Sequence, residues 1–291
     1  MSQRTVDPQW LAALQAHCQR PPLRARVALL ARVHGQEHQV GSVEPDLFKR
    51  IGLQDLWIRH GNLVREELAG QEAWILAGDI QAILTALALA LRASGMAGAW
   101  RAEALAVYSD TGQVLGSIER AAVRPLGIAT QAVHLVGLAG VAGPQQRVWV
   151  QQRSFRKASD PGMWDTLVGG MLSAADTLES ALQRETWEEA GLRLEQLGGL
   201  QRGGRIEQNR PLREAAHPMG DAGYLVEQVH WYACSVPDPV KPSNRDGEVQ
   251  AFALLGQDEM IDMLEGDLFT PEAAQILVQA LALAGARSAP R

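Results

Sequence analysis

Within the segment 170–192, GMLSAADTLESALQRETWEEAGL, the run Arg184-Glu185-Thr186-Trp187-Glu188-Glu189-Ala190-Gly191 sets three carboxylates three and four residues apart. On a helix, Glu185, Glu188 and Glu189 lie along one face. Like charges at those spacings repel, so a solvated helix gains nothing from them. A hard, oxygen-seeking cation such as Mg²⁺ or Mn²⁺ reverses the sign and is held by such a cluster. Gly191 suits the left-handed position just past a helix end. An E-x-x-E-E cluster alone reads as a solvated helix face; Arg184, the preceding Gly169-Gly170 and the closing Gly191 distinguish this one.

The segment resembles the Nudix box, G-x5-E-x7-R-E-U-x-E-E-x-G-U, where U is a bulky aliphatic residue. Gly170, Arg184, Glu185, Glu188, Glu189, Gly191 and Leu192 fall on its positions without a gap. Asp176 stands where the box has Glu, keeping the charge on a shorter arm that must still reach Arg184. Thr186 replaces an aliphatic residue on the packed side of the helix. Neither departure removes a residue expected to hold metal.

The resemblance implies an α+β fold: a Nudix domain, with a mixed sheet sandwiched between helices, preceded by a smaller α+β N-terminal domain. The expected division is 1–125 and 126–291. In the N-terminal part, Trp10–Arg20 and Pro45–Ile51 read as helices and Arg26–His34 as a strand. The apolar run Ile80–Leu91 behind Asp79 reads as a buried, Asp-capped helix. Strands at Trp100–Tyr108 and Gln113–Glu119 flank the turn signal Asp110-Thr111-Gly112. Further on, strands are expected at Val133–Val141, Arg147–Arg153, Val229–Val236 and Val249–Leu255. Helices are expected near Asp258–Leu264 and Pro271–Leu283. The polar span Gly203–Gly223, with Arg205, Arg210, Arg213 and His217, reads as a loop able to cover a substrate.

Composition bounds the function. The 291 residues are 46% hydrophobic, with no run approaching a membrane span, and the N-terminal stretch lacks the basic and apolar blocks of a signal peptide. Cys18 and Cys234 stand far apart with no metal-ligand spacing, which points to a reducing, cytoplasmic setting. A net charge of −6 does not suggest a nucleic-acid platform. A small-molecule ligand is the expected partner, with neither nucleic acid nor membrane.

Outside the box, Ile118-Glu119-Arg120-Ala121-Ala122, Val133-His134, Arg153 with Lys157, the stretch 160–165 (DPGMWD) and Asp246-Gly247-Glu248-Val249 resemble one Nudix subfamily. Its members carry an N-terminal domain described as thiamine-pyrophosphokinase-related, and its eukaryotic members are similar to phosphatases of thiamine diphosphate and its damaged oxo and oxy analogues. The resemblance implies metal-dependent cleavage of a small organic diphosphate to the monophosphate and phosphate, a metabolite-repair reaction. Mg²⁺ or Mn²⁺ would sit on Glu185, Glu188 and Glu189. Glu248 is the candidate further ligand or general base; its other reading is a solvated turn residue. Arg153, Lys157, Trp164 and Gly170 are the candidate substrate contacts, Lys157 and Arg153 as cations for the diphosphate and Trp164 as a stacking surface for a heteroaromatic ring. Asp176, Arg184 and Gly191 hold the box together. Glu119 and Arg120 read as a junction ion pair, and His134 as a satisfied core histidine.

Three other readings stay open: a hydrolase of nucleoside diphosphate derivatives, an isomerase resembling isopentenyl-diphosphate isomerase, and a binding module without catalysis. The isomerase uses a cysteine before its box, and none lies between Cys18 and Cys234. The intact carboxylates argue against the non-catalytic module. An N-terminal domain closing over the carboxylates favours a compact ligand; one packing away from them favours an extended dinucleotide.

Overall fold

A computed structural model describes residues 4–53, 62–141, 143, 145–212 and 223–288. The fold is α+β, with separate sheets in its N-terminal and C-terminal halves. In the N-terminal half, β1 (Val27–Val33), β2 (Gln36–Val43), β3 (Leu63–Leu68) and β4 (Gln71–Ala77) form a sheet in the order β2-β1-β4-β3. α1 (Pro8–Cys18) precedes it and α2 (Leu47–Arg50) is a single turn, shorter than the sequence suggests. The apolar run after Asp79 forms α3 (Ile80–Ala93), and the Asp79 carboxylate accepts from the Ala82 amide at 3.1 Å. Burial of Ile83, Leu84, Leu87 and Leu91 on one face follows the helical period and joins α3 to the sheet core.

β5 (Ala104–Tyr108) and β6 (Val114–Glu119) form the expected hairpin, with Gly112 at φ +84° in its turn. β5 begins four residues later than its sequence suggests, because Ala102 takes φ +55°, which a strand cannot accommodate. The short α4 (Arg120–Val123) then leads into the second half.

There, β7 (Thr130–Ala139), β8 (Arg147–Arg153), β9 (Trp164–Thr166), β10 (Val168–Met171), β11 (Gly198–Leu212), β12 (Gly223–Ser235) and β13 (Val249–Leu255) make a seven-stranded mixed sheet. The path runs β11-β12-β7-β8-β13, with β10 on β7 and β9 on β8. α5 (Leu178–Ala190) packs on one face, through Ala181 and Leu182 against Val133, Leu135 and Val168. α6 (Gln257–Glu265) and α7 (Pro271–Ser288) cover the other, over Ala132, Val136, Val229 and Trp231. α1 also packs here: Trp10 and Leu14 join the α7-side core although they stand at the start of the chain.

Within the span 203–223, residues 203–212 and Gly223 depart from their reading as a loop. Residues to Leu212 extend β11 and Gly223 opens β12, and the two strands pair antiparallel. Their polarity hid a period of two: Ile206, Gln208 and Arg210 are buried while Arg205 and Glu207 alternate with them or pair outside. Gln208 meets the cost of burial by donating to Gln275 at 3.0 Å. Arg213 and His217 lie outside the described residues. Among the described residues no helix is long and apolar enough to cross a membrane.

Candidate active site

The carboxylate face belongs to α5, whose ends are fixed chemically. At its start the Thr177 hydroxyl accepts from the Ser180 amide at 3.1 Å while Ser180 Oγ accepts from the Thr177 amide at 2.9 Å. At its end Gly191 takes φ +63°. Thr186, the polar residue on the packed side, is buried and donates to the Leu182 carbonyl at 2.6 Å, so its hydroxyl is satisfied within the helix.

Arg184 ties the helix to the strand and loop before it. Its Nη2 donates to the Met171 carbonyl at 3.1 Å and to Asp176 at 2.8 Å, and its Nη1 to Glu185 at 2.8 Å and Glu188 at 3.1 Å. The shorter Asp176 therefore reaches its arginine. Burial works against the Asp176 carboxylate, but Arg184 and the Ser173 amide together hold it below its ordinary value. Gly170 on β10 lies directly under Glu185: a Cβ there would overlap the carboxylate, so glycine is required for close approach.

The three helix carboxylates have different surroundings. Glu188 is the most exposed, at 44%, and pairs with Arg184. Glu185 is largely buried; burial, then the neighbouring Glu189, pushes its carboxyl up to about 7. Glu189 is 1% exposed and receives Gln151 Nε2 at 2.7 Å, the Gly169 amide at 2.9 Å and Lys157 Nζ at 3.2 Å. Burial still raises its carboxyl despite those donors. Lys157 also meets Glu248 at 2.6 Å. Burial opposes the Lys157 charge, but Glu189 and Glu248 keep its ammonium above the ordinary value. Glu248 is half exposed and is lowered, against its partial burial, by the Lys157 hydrogen bond and the charges of Arg120 and Arg101. Glu248 thus joins the helix carboxylates through Lys157, rather than pointing away as a turn residue.

The donor set suits a divalent cation. All its side-chain atoms are hard oxygens, and two buried carboxylates that repel each other are relieved by an added positive charge. Among the described residues no three His, Cys, Asp or Glu side chains already stand in a metal-binding arrangement, because Arg184 and Lys157 engage the carboxylate oxygens.

A cavity of about 430 Å³ opens over this cluster and is lined on one side by residues of the N-terminal half. Gly98, Arg101, Glu103 and Arg120 line it opposite Gly169, Gly170, Glu185 and Glu189. Arg120 pairs with Glu103 at 2.8 Å, whereas Glu119 accepts from the Arg101 amide at 2.9 Å. The expected Glu119–Arg120 pair is therefore replaced by two separate contacts, because adjacent residues leave β6 in different directions. The Ala174 amide donates to the Ala104 carbonyl at 2.8 Å, fixing β5 beside the box.

Not every sequence candidate reaches the cavity as a free group. Arg153 lines it, but its guanidinium is committed to Asp165 at 3.2 Å, the Asp160 carbonyl at 3.2 Å and the Ser159 carbonyl at 3.1 Å, so it shapes the preceding loop. Trp164 does not line the cavity. It pairs through its backbone with Leu268 and Thr270 and packs its ring in the α7-side core, which removes it as a stacking surface. His134 is buried against Thr166 at 2.9 Å and Asp165 at 3.4 Å, and one side of it faces the cavity. Sequence reasoning missed Arg101, Glu103, Gln151 and Glu272. Nothing in their local patterns marks them, since chain crossings distant in sequence bring them to the site.

The profile of the NUDIX domain matches residues 134–275, the stretch that contains the box, Lys157 and Glu248. Residues 134–275 are a Nudix hydrolase superfamily domain. Nudix hydrolase 20, chloroplastic, of Arabidopsis thaliana is 29% identical over 164 residues, 54% of this chain and 39% of the relative. An uncharacterized protein of Saccharomyces cerevisiae is 28% identical over 201 residues, 65% of this chain and 56% of that protein. The chain spans about half the length of the curated relatives it matches. Among solved structures, the DR0079 protein of Deinococcus radiodurans is similar over 60% of this chain and 97% of its own, with 18% identity and a TM-score of 0.46. The box residues described above stand within the matched stretch.

Proposed function

We propose that the protein is a metal-dependent diphosphohydrolase acting on a small organic diphosphate, thiamine diphosphate or its damaged oxo and oxy analogues, and releasing the monophosphate and phosphate. The observation that supports this reading is that residues of the N-terminal half and the helix carboxylates line one cavity of about 430 Å³. A space of that size matches one compact ligand.

In this reading Glu185, Glu188 and Glu189 hold Mg²⁺ or Mn²⁺, which when bound screens the diphosphate charge and lowers the pKa of an attacking water. The chain's own groups do the rest. Lys157 moves its ammonium from Glu189 and Glu248 to the diphosphate oxygens once the carboxylates are neutralised. Arg101, on the N-terminal side, faces the same space and adds a second cation for the anionic ligand. The water oxygen attacks the terminal phosphorus and its proton passes to a carboxylate, for which Glu248, freed of Lys157, is the candidate. The bridging P–O bond breaks, its electron pair stays on the monophosphate oxygen, and phosphate leaves.

Steady-state comparison of compact and extended substrates tests this. With Mg²⁺, kcat/KM for thiamine diphosphate or its oxo analogues should exceed that for ADP-ribose or a dinucleoside polyphosphate by about 100-fold or more. A preference for the extended compounds would leave the chemistry in place and remove the substrate class.

A further inference from the structure

The cavity extends from the carboxylates across the sheet. Met171, next to Gly170 on β10, stands opposite Ala132 on β7, and Ala132 stands beside Val229 on β12. Glu227, two residues from Val229, therefore shares the face of Met171 and Ala132, and all three line the cavity. Two inter-strand steps set β12 about 10 Å from β10. A ligand whose diphosphate is held at the carboxylates carries its organic part over this stretch.

Glu227 is only half satisfied there. Its side chain is 10% exposed. One oxygen, Oε1, accepts from Arg124 at 3.0 Å and from Thr130 at 2.9 Å. The other, Oε2, has no hydrogen bond to any described residue and is not sealed off by its neighbours, so the cavity wall is where it meets solvent. Burial opposes the charge, but Arg124 and then the Thr130 hydroxyl hold the carboxyl below its ordinary value. A largely buried, ionised acceptor without a donor is costly, and in a ligand cavity it marks a place where the ligand brings the donor.

Arg210 stands diagonally across from it, because Leu225, two residues before Glu227, is opposite Arg210 on β11. Diagonal neighbours on one face are roughly 7–8 Å apart, close enough for one ring to touch both. Arg210 lines the cavity, and its Nε donates to Gln208 at 3.3 Å. Its terminal nitrogens hold no hydrogen bond to any described residue; Nη2 stands 3.6 Å from Glu272, beyond that range. Leu212 and Leu225 flank the pair with apolar surface. We propose that this wall is a subsite for an amino-substituted nitrogen heterocycle, with Glu227 Oε2 accepting from the ring's amino group and Arg210 donating to the adjacent ring nitrogen. The inference rests on the diphosphohydrolase reading and narrows its substrate to diphosphates that carry such a ring.

The test uses two matched pairs in which an oxo group replaces the amino group: thiamine diphosphate against oxythiamine diphosphate, and ADP against IDP. The exchange turns the ring's donor into an acceptor and protonates the adjacent nitrogen, so both contacts are lost. In the wild-type protein the amino member of at least one pair should have a KM about 10-fold or more below that of its oxo partner. Glu227→Gln keeps an oxygen for Arg124 and Thr130 but turns an N–H donor toward the cavity, so it should abolish or reverse that preference. Equal KM values within both wild-type pairs, or an undiminished amino preference in Glu227→Gln, would overturn the proposal. If Glu227→Gln does not fold, the wild-type pairs decide alone, by the same criterion. Absence of turnover for every diphosphate would instead refute the hydrolase reading. Calorimetric titration of the wild-type protein with the same pairs then still tests the subsite, tighter binding of an amino member supporting it and equal binding within both pairs overturning it.

Discussion

Lys157 reaches Glu189 from a different part of the chain, setting its ammonium 3.2 Å from a carboxylate oxygen that water scarcely touches. The same ammonium meets Glu248 at 2.6 Å. The loop after β8, the helix α5 and the start of β13 are therefore joined by one internal cation. Removing it leaves the Glu189 charge buried and short of its counter-ion, the costly way to break a buried pair. Lys157→Met should destabilise the metal-free protein by about 3 kcal/mol, and by clearly less in saturating Mg²⁺. Urea denaturation with and without Mg²⁺ measures both; equal losses in the two conditions would mean that the metal and Lys157 do not share these carboxylates.

Glu185 gives a pH dependence with a definite sign. Burial raises its carboxyl from an ordinary value of 4.5 to about 7, so between those values the folded chain holds a proton that the unfolded chain releases. Stability of the metal-free protein is then lost as pH rises from about 4.5 through about 7, by up to roughly 3 kcal/mol from this group. Glu185→Gln should match the wild type near pH 4.5 and be more stable above pH 7.5. Thermal melts across pH show it; a variant equally destabilised at every pH would rule out the linkage.

Gly170 leaves no room for a side chain beneath Glu185. In Gly170→Ala the flexible carboxylate must swing away while β10 keeps its pairing with β7. Activity should fall by about 100-fold or more, with little loss of stability. Parallel kinetics and melting separate the two effects, and a fully active alanine variant would show that Glu185 does not act from this position.

Asp176 acts through Arg184. Losing its carboxylate removes the 2.8 Å ion pair and the Ser173 amide contact together, at a cost of about 2 kcal/mol for Asp176→Ala. Asp176→Glu should recover most of that, since the longer arm still reaches the guanidinium. Denaturation midpoints of the two variants give the answer; equal losses would assign the role to the loop backbone instead.

The helix that carries the carboxylates was legible because its information is local: the spacing of Glu185, Glu188 and Glu189 and the stop at Gly191 need no tertiary contact to interpret. β8 and β13 were legible as apolar runs, and the hairpin around Gly112 by its turn residues. β11 was not, since Gln208 and Arg210 are buried polar residues whose partners, Gln275 and Glu272, come from α7. Trp164 misled for the same reason: a tryptophan beside a turn reads equally as a stacking surface or as core, and only its packing against the α7 side decides. The cavity roof was invisible in principle, because Arg101 and Glu103 owe their place to the way two separate sheets meet.

The most direct measurement is phosphate release from thiamine diphosphate with Mg²⁺, by the wild-type protein and by Glu189→Gln shown to be folded. The account predicts turnover that requires the metal and falls by about 1,000-fold in the variant. Turnover undiminished in Glu189→Gln, or unaffected by chelation of the metal, would contradict it.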